Sequence, residues 1–247
     1  MQSIFLPGIR KIEFICGCGH TGTTLLATMM SCHPDLFVPL RETEVFFGGW
    51  WTRRRALGRL GRQARRAGKR HIIEKTPKHI RHLDAIRATI RKPKFIFMVR
   101  DGRDVTASLA PRFDGDVEAA LARWTSDTGI CLSQRGRPDV HLIRYEDLVT
   151  DPEAILRGLC AFIDVPYTDR LLEYHSEPHL WYGQTEVRQT SGVGKEHNGR
   201  RNWQVNQPLF DGRGRWKKDL PAEYLARFRS GEPRRLMEAF GYDPDEA

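Results

Sequence analysis

Apolar residues fall along this chain in short continuous runs separated by helix-like stretches, the rhythm of a β-α-β protein. KIEFIC (residues 11–16) has the character of a buried strand; it runs into the glycine-rich turn CGCGHTG and then into an apolar helix, TTLLATMMSC (23–32). LFVPL (36–40) is a short second strand ending at Arg41-Glu42, and IIE (72–74) is a third. Between them lies a helix that Gly58, Gly61 and Gly68 are expected to break. KFIFMVR (94–100) is the clearest strand, a run of the kind buried on both faces of a parallel sheet, and DVTASLA opens a helix after it. VHLIRYE (140–146) is another strand. Asp151-Pro152-Glu153 then supplies an N-cap with proline at the first helical position, starting a helix to about Phe162. A glycine-rich basic stretch (192–216) and two terminal helices complete the chain. The pattern predicts an α/β protein of three layers, a central, mainly parallel β-sheet flanked by helices.

Composition narrows the class. With 247 residues, 40% of them hydrophobic, the chain can bury one sizeable core, so residues 1–247 are expected to form a single domain with a basic helical insertion at about 46–70. Charged residues at 29% argue against disorder. No stretch approaches the ~20 apolar residues needed to cross a bilayer, and MQSIFLPGIRKIEF lacks an apolar run followed by a cleavage site, which predicts a mature, non-secreted protein. Five scattered cysteines, an odd number, favour free thiols in a reducing compartment. The expected location is cytoplasmic, free or peripheral to a membrane.

Net charge is +9, which favours anionic partners, and its distribution is informative. Residues 51–70 contain eight arginines (Arg53, Arg54, Arg55, Arg59, Arg62, Arg65, Arg66 and Arg70) and Lys69 with no acidic residue, nine positive charges in all, while the rest of the chain is balanced. An anionic membrane surface or an acidic glycan is a candidate partner of this segment; the plain alternative is a solvated helical face. Phe46, Phe47, Trp50 and Trp51 precede it and suit sugar rings, a membrane interface or the core equally.

Residues Gly17 to Thr24, GCGHTGTT, join a strand to a helix, so backbone N–H groups and the positive helix end can cradle a phosphate-like anion. The spacing is P-loop-like, GxxxxGK(S/T), but Thr23 stands where the lysine that reaches the β- and γ-phosphates would be. That disfavours a kinase or NTPase. Cys16, Cys18 and His20 lack a second ligand pair at zinc-site spacing, so no metal is expected.

The segment GCGHTGTTLL resembles the loop of the 3′-phosphoadenosine-5′-phosphosulfate (PAPS)-dependent sulfotransferase superfamily, particularly its bacterial and carbohydrate-acting members, which reads much like GxxRSGTTLL. The resemblance implies that Gly19, His20, Thr21, Gly22, Thr23 and Thr24 surround the 5′-phosphosulfate. His20 replaces the usual Arg or Lys, which makes that donor pH-dependent. FIFMVRDGRDVTASL is similar to the family's RDPRDVxxS element, in which Arg100 and Ser108 match the two residues that hold the 3′-phosphate. RYEDLVTDPEAILRGLCAFIDVPY (144–167) looks like a further family segment in which Tyr145 approaches the adenine. GRGRWKKDL (212–220) resembles the family's GxW(R/K) closure, implicating Arg213, Gly214, Arg215 and Trp216. The alternative there is a basic loop anchored by one buried tryptophan.

Two more motifs carry chemistry by the same resemblance. VPLRETEVFF places Glu42 where the family has its catalytic glutamate, with Glu44 a competitor because the spacing holds one extra residue. IIEKTPKHI resembles the EKTP signature, whose lysine, here Lys75, meets the sulfonate or bridging oxygen. Glu42 is thus the expected general base, Lys75 the electrophilic donor and His20 a leaving-group stabiliser, with His79 as the alternative base. PAPS is the implied co-substrate. The acceptor is expected to be a hydroxyl or amine of a small molecule, carbohydrate or glycolipid, and nucleic acid is not expected. The rivals are a P-loop kinase and a non-enzymatic polyanion or nucleic-acid binder built on the arginine run.

Overall fold

Five strands form one all-parallel sheet: β1 (Lys11–Gly17), β2 (Leu36–Phe37), β3 (His71–Lys75), β4 (Lys94–Val99) and β5 (Val140–Arg144), in the order β2-β3-β1-β4-β5. The computed structural model describes residues 4–190 and 196–246. The strands are apolar on both faces because each face carries helices. Phe14 and Cys16 of β1 and Phe95 and Phe97 of β4 enter one core, while Ile15, Ile96 and Met98 enter the other. The chain leaves β1 toward β3 and later returns on its other side as β4. A switch of this kind opens a crevice beyond the carboxyl ends of the strands, between β1 and β4.

The helices are α1 (Thr23–Ser31), α2 (Trp50–Arg66), α3 (Leu83–Thr89), α4 (Gly102–Leu109), α5 (Val117–Ser133), α6 (Tyr145–Thr150), α7 (Pro152–Ile163), α8 (His197–Gln204), α9 (Trp216–Asp219) and α10 (Gly231–Ala239). Side-chain caps start three of them: Asp101 accepts from Arg103 N, Asp116 from Ala119 N and Asp151 from Ala154 N.

Several expected boundaries move. The second strand shrinks to two residues, and the strand expected over 140–146 stops at Arg144 because Tyr145 already begins α6. The basic helix is not broken at Gly58 or Gly61; it runs unbroken to Arg66 and the chain turns at Gly68. The N-terminal segment packs beside Gly61, where an added Cβ would sit at ordinary contact distance, 3.4 Å from Ile9 Cγ1. α5 was not expected, although Asp116 and the 3–4 residue spacing of Val117, Ala120, Leu121, Trp124, Thr128 and Cys131, all buried, carry its signature. The two terminal helices are a 3-10 helix (Ala222–Arg229) and α10. Of the stretch 192–216, residues 192–195 lie outside the described residues. All five cysteines are free thiols, and no described helix is long and apolar enough to cross a membrane.

Candidate active site

The turn after β1 owes its course to glycine. Gly17 has φ 142°, and a Cβ there would lie 2.4 Å from the carbonyl oxygen of Met98 on β4. Gly22, the N-cap of α1, has φ 92°, and a Cβ would lie 2.7 Å from the Tyr145 ring. No side chain caps α1, so its first N–H groups are not taken up by a capping side chain, and Gly22, Thr23 and Thr24 of this first turn border the crevice. Replacing Gly22 by alanine combines an unfavourable backbone conformation with that collision, so we expect a stability loss of about 1–3 kcal/mol in urea unfolding.

A cavity of about 880 Å³ opens at this edge of the sheet. Its wall includes His20, Gly22, Thr23 and Thr24 from the turn and Arg100 and Ser108 from the β4–α4 unit, together with Tyr145 and Arg215. The two motifs, some 80 residues apart in sequence, meet directly: His20 Nδ1 lies 2.7 Å from Ser108 Oγ, and Arg100 donates to the carbonyl of His20 at 3.4 Å. Arg100 is stacked on the Tyr145 ring, 4.2 Å from its centroid, and donates to Asp104 and to the carbonyl of Gly212. Burial raises the Tyr145 phenol pKa, against the pull of the Arg100 charge, so the ring stays neutral.

Other residues named from sequence stand behind this wall. Thr21 is buried with its hydroxyl turned back to the carbonyl of Cys18, and Gly19 packs near Leu109. Arg213 is exposed and paired with Asp211, away from the cavity. Trp216 is buried beneath the Arg103 guanidinium, 4.1 Å from its ring centroid. The tail 212–216 is held to the core by Asp104, which accepts from Gly214 N at 3.0 Å and Trp216 N at 2.9 Å. Asp104 thus ties the tail to the Arg100 element, a link the sequence did not display.

Lys75 ends β3, wholly buried, with Nζ 3.0 Å from Glu42 Oε1 and 3.3 Å from the Tyr182 hydroxyl. It also lies over the Trp181 ring at 4.7 Å. Tyr182 OH is in turn 3.0 Å from Thr24 Oγ1, which accepts from Arg201 at 3.1 Å. Lys75 and Glu42 therefore lie one hydroxyl behind the cavity wall, joined to it through Tyr182. That tyrosine has φ 59°, a left-handed conformation unusual for a side chain of this size. Glu44 is exposed and also left-handed, at φ 50°, and points to no partner in this group. His79 is fully buried, with Nδ1 2.8 Å from Glu74 and Nε2 accepting from Phe46 N at 3.3 Å, so both ring nitrogens are occupied in the core. Burial would raise the Glu74 pKa, but His79, Thr76 and Thr43 outweigh it and hold the carboxylate below its usual range.

Among the cavity residues that went unrecognised in sequence are three arginines, Arg112, Arg200 and Arg201. Burial, first, and the Arg201 charge depress the Arg112 pKa while Glu42 and Tyr182 oppose this, which places Arg112 among these groups. No motif marks them; the only signal was an arginine pair beside Trp203 without a neighbouring acid.

The donor set suits a nucleotide bearing anions at both ends. Thr23 Oγ1 and Arg100 Nε are buried without a hydrogen-bond partner among the described residues. The third hydrogen of Lys75 Nζ likewise has no acceptor among them. The described residues contain no cluster of side chains able to hold a metal ion.

Comparison with known proteins agrees. Residues 50–169 match the family model described as Sulfotransferase family. That match spans just under half of the chain and is consistent with the PAPS-dependent sulfotransferase superfamily. It is 24% identical over 269 residues to protein-tyrosine sulfotransferase A of Caenorhabditis elegans, covering 94% of this chain and 67% of that protein. Its fold is shared with the sulfotransferase domain from the curacin biosynthetic pathway (TM-score 0.67, 21% identity, 95% of this chain and 99% of that one). A mouse sulfotransferase complexed with 3′,5′-adenosine diphosphate (PAP) gives a TM-score of 0.55 at 15% identity, covering 92% and 88%. The family match and the sulfotransferase relatives support a PAPS-dependent sulfotransferase, with PAPS as the sulfonate donor.

Proposed function

We propose that this sulfotransferase acts on a hydroxyl acceptor with Glu42 as general base and Lys75 as the positive group facing the bond that breaks. The observation that carries this reading is the chain of contacts Glu42–Lys75–Tyr182–Thr24, which links a buried ammonium and a partly exposed carboxylate to the phosphate turn. PAPS supplies an activated sulfonate whose leaving group is a phosphate. Gly22, Thr23 and Thr24 bind its 5′ end through main-chain and hydroxyl donors, with His20 beside them, and Arg100 and Ser108 bind its 3′-phosphate. Tyr145 borders the space left for the base.

Glu42 takes the proton of the acceptor hydroxyl as the oxygen attacks sulfur. Lys75 donates to the oxygen that gains charge, and it is aimed in advance because its ammonium is held over the Trp181 and Tyr182 rings and against Glu42. Tyr182 is a positioning residue: its hydroxyl spans Lys75 and Thr24 and keeps the ammonium directed to the turn. Glu42 is preferred to His79 because its side chain is 25% exposed and within reach of an acceptor, whereas His79 is sealed in the core.

The acceptor is narrowed by the cationic side of the cavity. Arg112, Arg200 and Arg201 favour an acceptor that carries negative charge. A carbohydrate or glycolipid fits this, in keeping with the motif resemblance, and an acidic tyrosyl peptide fits it too, a reading favoured by the name of the Caenorhabditis relative. Calorimetry with PAP and with ATP tests the nucleotide site; PAP is expected to bind without metal and at least tenfold more tightly, and preference for ATP overturns the assignment. Labelled PAPS offered with glycans, glycolipids and tyrosyl peptides then identifies the acceptor. Labelling of peptides alone removes the carbohydrate reading.

A further inference from the structure

A second concave surface lies away from the nucleotide cavity, between the N-terminal segment and α2. It encloses about 710 Å³, with Gly58 and Gly61 of α2 as its floor and Phe5 and Trp51 in its wall. Four exposed arginines of the same helix, Arg54, Arg55, Arg59 and Arg62, complete the wall. The helix presents its other face, Leu57, Leu60 and Ala64, to the core, so the arginine face is fixed outward by packing.

Two features set this face apart from the rest of the surface. Many exposed arginines elsewhere, among them Arg157, Arg213, Arg215, Arg227, Arg234 and Arg235, form an ion pair with a nearby carboxylate, and those that do not, such as Arg41, Arg91 and Arg170, are scattered singly, whereas here four lie together on one helix face. Arg54, Arg55, Arg59 and Arg62 form none among the described residues; Arg54 instead lies 5.7 Å from the Trp50 ring centroid. The second feature is apolar. Phe5 is 83% exposed and Trp51 65% exposed, the two most exposed large apolar side chains described, and both stand on this groove.

Unneutralised guanidinium groups beside protruding aromatic rings match one environment well: the headgroup region of an anionic bilayer, where phosphates meet arginine and the rings of Trp and Phe enter the boundary with the acyl chains. α2, about 25 Å long at 1.5 Å per residue, suits lying along such a plane. We propose that the α2 face is a peripheral docking surface for membranes rich in anionic phospholipid, and that it holds the enzyme at the lipid surface without inserting a helix. A soluble polyanion answers the arginines but leaves Phe5, which has no polar handle, exposed to water.

The test is co-sedimentation of the full chain with vesicles of phosphatidylcholine alone or mixed with phosphatidylglycerol. Binding is expected only to the mixed vesicles and is expected to vanish in about 0.5 M salt. The triple variant Arg55→Glu, Arg59→Glu, Arg62→Glu is expected to lower partitioning at least about tenfold, and Trp51→Ala severalfold, with PAP affinity unchanged as the control for folding. Should the triple variant fail to fold, quenching of wild-type tryptophan fluorescence by brominated lipid replaces it, since Trp51 is the most exposed tryptophan. Absence of binding to anionic vesicles, absence of quenching, or binding to heparin and oligonucleotides but not to vesicles overturns the proposal. None of these outcomes bears on the nucleotide site, which PAP calorimetry reads separately.

Discussion

Glu42→Gln is expected to lower kcat by about 10²–10⁴-fold while PAP binds as before, because glutamine keeps the shape of the side chain and a contact to Lys75 but cannot accept the acceptor's proton. Lys75→Met is expected to cost about 10²–10³-fold in kcat through loss of the donor to the leaving oxygen. The two losses are not additive, since each removes the other's partner at 3.0 Å. The contrasting variant is His79→Ala. With its ring gone, Glu74 loses a buried partner at 2.8 Å, and the expected result is a lower melting temperature with near-normal turnover per folded molecule. Rapid-quench measurement with labelled PAPS separates these cases. Normal turnover in Glu42→Gln combined with lost turnover in folded His79→Ala would transfer the base to the histidine.

The next largest effect is expected at Arg100. Arg100→Met removes a guanidinium that reaches both the turn and the tail, and we expect PAP affinity to fall about 10²–10³-fold, the range for losing charge-assisted hydrogen bonds to phosphate. Ser108→Ala, which deletes one neutral hydroxyl, is expected to cost about tenfold or less. The decisive comparison is calorimetry with adenosine 5′-monophosphate, which has no 3′-phosphate. If Arg100→Met weakens both nucleotides equally, Arg100 acts through Tyr145 and Gly212 as a structural strut and not on the 3′ end.

The sequence displayed the parts of this site that lie on strand ends. A β1 strand of apolar residues, a glycine turn and a helix are local features, and so is an arginine leaving β4. Their joining was legible only through two motifs resembling one family, because the adjacency of β1 and β4 depends on sheet order. Arg112, Arg201 and Tyr182 were not legible: they sit on a 3-10 turn, a late helix and a left-handed residue, and nothing local distinguishes them from solvated side chains. The basic segment shows the opposite failure. Its glycines look like helix breakers, but Leu57, Leu60 and Ala64 of the same helix are buried in the core, and packing of that face offsets the ~1 kcal/mol per glycine that propensity costs.

Asp104 holds the tail and Arg100 at once. One carboxylate therefore serves as a hinge pin between the wall that receives the nucleotide and the strap lying beside it. An anion that draws the guanidinium away from this carboxylate is expected to loosen the strap as well, coupling occupancy of the crevice to movement at its rim.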